Sequence, residues 1–185
     1  MQHGYVLNVM SLDRPGIVAG VSAAISELEG NIKSCSQTVL NGYFTLIMTF
    51  SLPKKWKITE LEETILKTEG LKDCQAMIRT MESDAPRQAD QAQNIFVITA
   101  FGKDRKSIVA RFSEFFAEKD INIIDLYGDL TPEGEFVLIS QIEVDPSHDI
   151  RNLQLDLEEM GHELGFTVKL QHNNIFVATN RIRLD

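Results

Sequence analysis

Two stretches of the chain decide its fold: YVLNVMSLDRPGIVAGVSAAISELEGNI, residues 5–32, and FVITAFGKDRKSIVARFSEFFAEKDINI, residues 96–123. When the sequence is shifted by 91 positions, residues 5–33 match the second stretch at ten of 29 positions. The identical residues are Val6, Asp13, Arg14, Ile17, Val18, Ala19, Ser22, Glu27, Asn31 and Ile32. The chain is therefore predicted to contain a duplication, with one structural unit in each copy.

Each copy begins with the pattern of a strand followed by a helix. The apolar-rich segment from Tyr5 to Ser11 is typical of a short strand. Apolar residues then recur at helical spacing at Ile17, Val21, Ala24, Ile25 and Leu28, and again at Ile108, Phe112, Phe115 and Phe116. One face of each helix is thus predicted to pack against a sheet.

The remainder of each copy predicts two more strands, a helix and a last strand. Asn41-Gly42 is a strong hairpin-turn signal, and TPEGE at residues 131–135 takes its place in the second copy. The resulting order is βαββαβ twice. This is the α+β arrangement of two tandem ferredoxin-like domains, each an antiparallel four-stranded sheet of order 4-1-3-2 with its helices on one face.

The stretch between the copies, SDAPRQADQAQN, is polar and contains Pro86. We therefore predict a first domain at residues 1–83, a linker at 84–94 and a second domain at 95–185. Ile175, Phe176, Thr179 and Ile182 have helical spacing, so a short C-terminal helix is expected to pack back on the sheet, with a strand as the alternative.

Charge and hydropathy restrict the function. The 185 residues include 18 Lys and Arg against 27 Asp and Glu, a formal net charge of −9 that makes direct nucleic-acid binding unlikely. The longest apolar stretch, YFTLIMTF at 43–50, is of strand length, and the N-terminus has no signal-peptide pattern. A cytoplasmic protein without a membrane span is expected.

The sequence carries no recognisable catalytic or metal-binding motif. Cys35 and Cys74 are predicted on strands at opposite edges of the first sheet, which is too far apart for a disulfide. The four histidines have no paired metal-ligand spacing, and no nucleophile motif is present. We therefore expect no metal, no cofactor and no enzymatic activity.

The loop at residues 13–16 is the best candidate binding site. Pro15 is predicted at the first helical position, and Gly16 would let another group approach the backbone closely. The free N–H groups of the first turn could then accept a carboxylate, and the amide of Asn31 can both donate and accept. These groups could together bind a free amino acid. The alternative is structural: Asp13 caps the helix, and Asn31 closes its far end.

The second copy keeps Asp104, Arg105, Asn122 and Ile123 but has Lys106-Ser107 in place of Pro15-Gly16. Because the helix pattern persists there, the fold is not expected to require the Pro-Gly pair, which leaves that pair for function. The basic loop GKDRKS could attract an anion, or it could be a solvated turn.

A βαββαβ unit with LDRPGIV before its first helix and GNI opening its second strand resembles the ACT domain, a regulatory amino-acid-binding module of many metabolic enzymes. The resemblance covers nearly the whole chain, twice, and a tandem pair without an attached enzyme is similar to the glycine cleavage system transcriptional repressor group. It implies a ligand where two domains meet, held by Asp13, Gly16, Ile17, Asn31 and Ile32, with Asn122 and Ile123 matching in the second unit. Ser107 departs from the glycine, which puts a second, equivalent site in doubt.

Three functions follow from the residues and the resemblance. The first is a non-catalytic sensor of a small ligand, an amino acid, that self-associates or docks a regulatory protein partner. The second is a transcriptional regulator of amino-acid metabolism, such as glycine cleavage, that acts through a protein partner. The third is a vestigial site in a protein that only oligomerises through its sheets.

Overall fold

The structure, a computed structural model, describes residues 2–81 and 94–180. The chain divides into two compact units, Met1–Arg87 and Gln88–Asp185. Residues 84–93 of the expected linker lie outside the described residues, so the boundaries at 83, 84 and 95 remain predictions.

Each unit has the predicted βαββαβ order. The first contains β1 (His3–Leu12), α1 (Ile17–Glu27), β2 (Asn31–Leu40), β3 (Tyr43–Leu52), α2 (Ile58–Leu66) and β4 (Gln75–Thr80). The second contains β5 (Ile95–Lys103), α3 (Ile108–Glu118), β6 (Asn122–Leu130), β7 (Glu135–Glu143), α4 (Ile150–Leu164) and β8 (Phe166–His172), followed by α5 (Asn173–Asn180). The two ferredoxin-like units predicted from the duplication are confirmed.

Both sheets have the predicted strand order, β2-β3-β1-β4 in the first unit and β6-β7-β5-β8 in the second. All neighbouring strands are antiparallel. Since β2 and β4 are the two edges of the first sheet, Cys35 and the region next to Cys74 lie on opposite sides of it. Both thiols are free, that of Cys35 exposed and that of Cys74 buried.

The helices bury the faces that their spacing predicted. In α1, Ile17, Val21, Ala24 and Ile25 are buried, and Leu28 packs against the same core. In α3, Ile108, Phe112 and Phe116 are buried, and Phe115 is partly buried against the second core. Burial of these side chains against one face of each sheet supplies the main driving force for folding.

The hairpin turns also follow the sequence. Asn41 and Gly42 both have positive φ angles, 50° and 80°, which is the backbone of the tight turn that Asn-Gly favours. In the second unit the longer connection closes around Gly134, whose φ is 81°. These turns lie beside the loops that precede α1 and α3, as described below.

The two sheets differ on the face away from the helices. Helix α5 contacts β5 and β8. Val97 lies between the core residues Phe96 and Ile98 and therefore points to the face away from α3 and α4. It is nevertheless only 1% exposed. We attribute its burial to α5. Its counterpart Val6 is only partly buried.

Candidate functional site

The loop before α1 ends in a left-handed backbone. The helix begins at Ile17, and Gly16 is its N-cap residue with φ 97° and ψ −12°. The placement of Pro15 at the first helical position is therefore wrong, because Pro15 lies in the turn before the cap. No side chain makes a capping hydrogen bond to α1, so the structural alternative in which Asp13 caps the helix is not supported.

The second unit reproduces this loop with a different residue. Ser107 is the N-cap of α3 with φ 67° and ψ 17°, again left-handed and again without a side-chain cap. Both loops are tied to their hairpin turns: the Asp13 N–H donates to the Gly42 carbonyl at 2.9 Å, and the Asp104 N–H to the Gly134 carbonyl at 3.3 Å.

This repetition corrects one expectation about Gly16. The fold does require a left-handed residue at this position, and glycine adopts that conformation without steric cost. Gly16 thus has a structural reason to be glycine, and the argument that Pro-Gly is left over for function loses part of its force.

The surroundings of Gly16 are nevertheless open. A Cβ atom added there would meet nothing within 4 Å, and both Gly16 and Asp13 are exposed. The first helical hydrogen bond runs from the Gly20 N–H to the Gly16 carbonyl at 2.8 Å. The earlier N–H groups of α1 therefore face an uncovered surface at the positive end of the helix dipole, which favours an anion.

Arg14, identical in both copies, acts on the framework of the loop. Its guanidinium donates to the Gly70 carbonyl at 2.7 Å and to the Leu12 carbonyl at 3.4 Å, and it approaches the Cys74 sulfur at 3.7 Å. Arg105 donates to the Leu164 carbonyl at 3.2 Å. In both units the arginine ties the loop to the segment before the last strand. The Asp-Arg pair repeated in both copies is the sequence signal for this role, which was not predicted.

The remaining predicted site residues lie at the other end of each sheet. Asn31 opens β2 and pairs with Ser51, next to the start of β1, whereas the candidate loop follows the Leu12–Tyr43 pair at the end of β1. The start of β2 and the candidate loop are thus eight strand residues apart along the sheet, which is about 27 Å at roughly 3.4 Å per residue. Asn122 has the same position on β6, paired with Glu143. No single unit brings the loop and these asparagines together.

The side chains at the strand starts divide into two kinds. Asn31 and Asn122 are exposed. Ile32 and Ile123 are partly buried and pack against the cores of their own units. A ligand at a strand start would therefore meet the amide of the asparagine more readily than the isoleucine.

Asn122 lines a cavity of about 330 Å³ with Asn94, Asp120, Glu143, Val144, Asp145 and Pro146. The pKa of Asp145 is lowered from its ordinary value by hydrogen bonds from the side chain and backbone of Ser147, with a smaller contribution from the charge of His148. Hence this end of the second sheet holds anionic side chains around the candidate asparagine.

A second pKa shift lies on the edge strand β6. The pKa of Tyr127 is raised by the hydrogen bond that its hydroxyl donates to Asp129 at 3.0 Å and by the charge of that carboxylate. Tyr127 is exposed and lies on the edge strand β6.

Among residues 2–81 and 94–180, no cluster of three His, Cys, Asp or Glu side chains could hold a metal ion, and no helix is long and apolar enough to cross a membrane.

Comparisons with known proteins give independent support for the fold. A solved structure of an unknown protein from Galdieria sulphuraria superposes with a TM-score of 0.76 at 21% identity, over 92% of this chain and 98% of that one. A provisionally assigned glycine cleavage system transcriptional repressor superposes with a TM-score of 0.68 at 20% identity, over 94% and 99%. At these identities the likeness shows a shared fold of two tandem units.

Sequence relatives match a single copy. A UPF0237 protein from Methanococcus maripaludis is 34% identical over 87 residues, which are 46% of this chain and 96% of that protein. A UPF0237 protein from Methanocaldococcus jannaschii is 34% identical over 87 residues, with the same coverage. About half of the present chain thus corresponds to a whole relative.

The family model for the ACT domain matches twice, at residues 3–78 and 94–171. These ranges include the β1–α1 loop and the start of β2 in the first unit and their counterparts in the second. ACT domains are regulatory modules that bind small ligands. With a match to each of its two units, the chain belongs to the ACT domain family.

Proposed function

We propose that the protein is a non-catalytic regulator that binds a small ligand, an amino acid, at an interface between two ACT units. The loop of one unit and the strand start of another would hold the ligand. The contacting residues would be Asp13, Gly16 and Ile17 on the loop and Asn31, Ile32, Asn122 and Ile123 at the strand starts. The ligand would favour one arrangement of the units to the extent that it binds that arrangement more tightly.

The open N-terminus of α1 is the observation that carries this proposal. Its cap is the bare backbone of Gly16, its first N–H groups have no side-chain acceptor, and nothing lies within 4 Å of the added Cβ atom. An α-carboxylate suits these donors. An ammonium group suits the carboxylate of Asp13 and the amide oxygen of Asn31.

The distance between the loop and the strand start supports an interface site. Because about 27 Å of sheet separates them in one unit, a ligand as small as an amino acid can touch both only if a second unit supplies one of them. Binding would then be coupled to association of units, which is a direct route from ligand to regulation.

A thermal-unfolding screen with each of the twenty amino acids tests the proposal. A ligand at a hundred times its dissociation constant adds about 2.7 kcal/mol to the stability of the folded state, which gives a measurable rise in melting temperature. We expect one amino acid or a small group of related ones to produce the rise. A screen in which no amino acid does so contradicts the proposal.

Matched variants locate the site. Asn tolerates a left-handed backbone, so Gly16→Asn should keep the fold while placing a side chain in the open space over the helix terminus. Ser107→Asn makes the same change at the equivalent cap of the second unit. We expect Gly16→Asn to remove the ligand-induced rise and Ser107→Asn to retain it. Equal responses of the two variants would place the ligand elsewhere.

A second candidate function is transcriptional regulation of amino-acid metabolism, such as glycine cleavage, through a protein partner. The match to the provisionally assigned repressor favours it, because the superposition covers 94% of this chain and 99% of that one. The net charge of −9 disfavours direct contact with DNA. We expect purified protein alone to give no gel shift with promoter DNA. A tight shift that weakens with salt would contradict action through a partner.

A further inference from the structure

We infer that the first unit contains a separate binding site for a small organic anion, in a cavity at the end of the sheet where β1 and β2 begin. The cavity has a volume of about 630 Å³, and its lining includes His3, Lys33 and Lys55. Neither Gly16 nor Asn31 lines it, so this site does not depend on the proposed amino-acid site.

A β-bulge gives Lys33 its place in the cavity wall. Ile32 pairs with Phe50 and Ser34 with Thr49, so Lys33 is the extra residue of β2 with no partner on β3. Bulges of this kind redirect a side chain and are frequent beside binding sites. The second unit has the same bulge, with Ile124 as the extra residue.

No carboxylate in the described part of the chain forms an ion pair with Lys33 or Lys55. Within residues 2–81 and 94–180, Lys57, Lys67, Arg111 and Lys119 form ion pairs, and neither Lys33 nor Lys55 does. The described lining of the cavity contains no Asp or Glu. In a protein of net charge −9, two unpaired ammonium groups around one concave surface make a local field that attracts anions.

The other lining groups suit an organic body attached to the anionic group. Among the lining residues, Met81 is exposed and offers an apolar side chain, whereas the rings of Tyr5 and Phe50 are buried and stack on each other with their centroids 5.5 Å apart. The Tyr5 hydroxyl accepts from the Trp56 N–H at 2.9 Å, which fixes this part of the wall. A volume of 630 Å³ exceeds what a single phosphate fills and falls within the range of small-molecule sites.

The second unit shows that the fold does not impose this charge. Ser51 and Glu143 hold equivalent positions, since they pair with Asn31 and Asn122, the first residues of β2 and β6. The described lining of the cavity at Glu143 includes the carboxylates of Asp120, Glu143 and Asp145 but no Lys or Arg. The two copies therefore differ at the start of the second strand, where the first has Lys33 and Ser51 and the second has Ile124 and Glu143. This difference favours an anion in the first copy only.

Calorimetric titration of the full chain, at constant ionic strength, tests this site with two probes. Glycerol phosphate represents a phosphate-bearing ligand and citrate a carboxylate ligand, with uncharged glycerol as the control. We expect saturable binding of at least one anion and none of glycerol, and the stronger probe identifies the anionic group. Saturable binding of neither anion overturns the inference.

Three single substitutions with the same change of charge then locate the binding. Lys33→Gln and Lys55→Gln each remove a charge from the cavity, whereas Lys54→Gln removes one from an exposed neighbour that does not line it. Loss of one charge-assisted hydrogen bond should weaken binding about tenfold or more. We expect this for Lys33→Gln and Lys55→Gln, and less than about a twofold change for Lys54→Gln.

The fold should tolerate these variants, because the second unit has the uncharged Ile124 at the bulge position of Lys33. Circular dichroism and the melting temperature check this directly. Equal weakening by all three substitutions would mean that the probe responds only to net charge, and it would overturn the inference. Unchanged affinity in both cavity variants would overturn it as well.

Discussion

The two copies share a backbone down to its irregular features and differ in the side chains at those features. Both have a left-handed helix cap, a bulge after the second residue of the second strand, and a loop tied to the hairpin turn. At the bulge, however, the first copy has Lys33 and the second Ile124. After the duplication the chain kept the geometry and changed the chemistry, so a site in one copy cannot be assumed in the other.

The residue before the second strand of each copy shows how packing differs on the same backbone. Gly30 and Ile121 both donate their N–H at 2.9 Å to the helix, Gly30 to Ile25 and Ile121 to Phe116. A Cβ atom on Gly30 would lie 2.7 Å from Ile25 Cγ2 and 2.8 Å from both the Ile25 carbonyl oxygen and Leu52 Cδ2. Ile121, in contrast, is 5% exposed and belongs to the second core.

Exchange of these residues should give the largest effects. Ile121→Gly removes a buried side chain and loosens the backbone, which should lower the free energy of unfolding of the second unit by about 3 to 5 kcal/mol. Hydrogen exchange of the β5–β8 amides measures this loss. A loss below about 1 kcal/mol would mean that the core closes over the vacancy.

The reciprocal control is Gly30→Ala, which forces a methyl group against Ile25 and Leu52. We expect a loss of about 1 to 3 kcal/mol in the first unit. Trp56 is the only tryptophan in the chain and packs against the first core, so its fluorescence in a urea titration reports that unit. An unchanged midpoint would show that the Ile25 carbonyl and the two side chains shift without cost.

The sequence predicted some features of the fold and not others. Apolar periodicity and the Asn41-Gly42 turn predicted the elements and the buried helix faces, because both depend on local spacing. The strand order followed from the ferredoxin-like arrangement that the repeated βαββαβ order indicated. The left-handed backbone at the start of α3 could not be predicted, because a serine such as Ser107 gives no indication of a positive φ angle. The cavity at Lys33 and Lys55 did not follow either, because a one-residue bulge and the pairing of distant strands bring those side chains together.

For the candidate site, sequence reasoning placed the open helix terminus at the correct loop but misplaced the helix start by the two residues Pro15 and Gly16. The residues alone suggested that the loop and Asn31 could together bind one amino acid, whereas the ACT resemblance implied a ligand where two domains meet. The register of β1, β2 and β3 separates them, and only a folded sheet contains that information.

The loss of stability caused by removing Arg14 or Arg105 should be the next largest difference between the two units. Arg14 holds the Gly70 carbonyl within the connection from α2 to β4, residues 67–74, whereas Arg105 makes one longer bond to the last residue of α4. Arg14→Ala should therefore cost the first unit about 1 kcal/mol. Arg105→Ala should cost the second unit roughly half as much, because its side chain is more exposed.

Hydrogen exchange of the two connections checks this difference. The peptide that covers residues 67–74 should exchange faster in Arg14→Ala, and the peptide after Leu164 should change little in Arg105→Ala. Arg14→Lys separates charge from geometry, because an ammonium cannot reach both carbonyls with a planar fork. If Arg14→Lys protects residues 67–74 as well as wild type, the charge alone holds the connection.

The smallest expected effect is a loss of melting temperature at low pH, and only the second copy should show it. Asp145 follows Val144 after β7, where the first copy has Pro53 after Leu52 and no ionisable group. The Asp145 carboxylate accepts the Ser147 N–H at 2.8 Å, and hydrogen bonds from the side chain and backbone of Ser147 lower its pKa from the ordinary value of 3.8. Since the pKa is lower in the folded state, the carboxylate stabilises the second unit above the ordinary carboxyl pKa. This stabilisation disappears as the pH falls through the lowered value.

Melting temperatures of wild type and Asp145→Asn between pH 6 and pH 2 isolate this contribution. The difference between the two proteins should be constant at the upper end and should shrink as the pH falls, while the fluorescence of Trp56 in the first unit shows no such difference. Ser147→Ala should reproduce part of the effect, because it removes the side-chain donor that lowers the pKa most. A difference that persists unchanged to pH 2 would show that the asparagine disturbs the turn itself, and that the charge of Asp145 contributes nothing to the stability of the second unit.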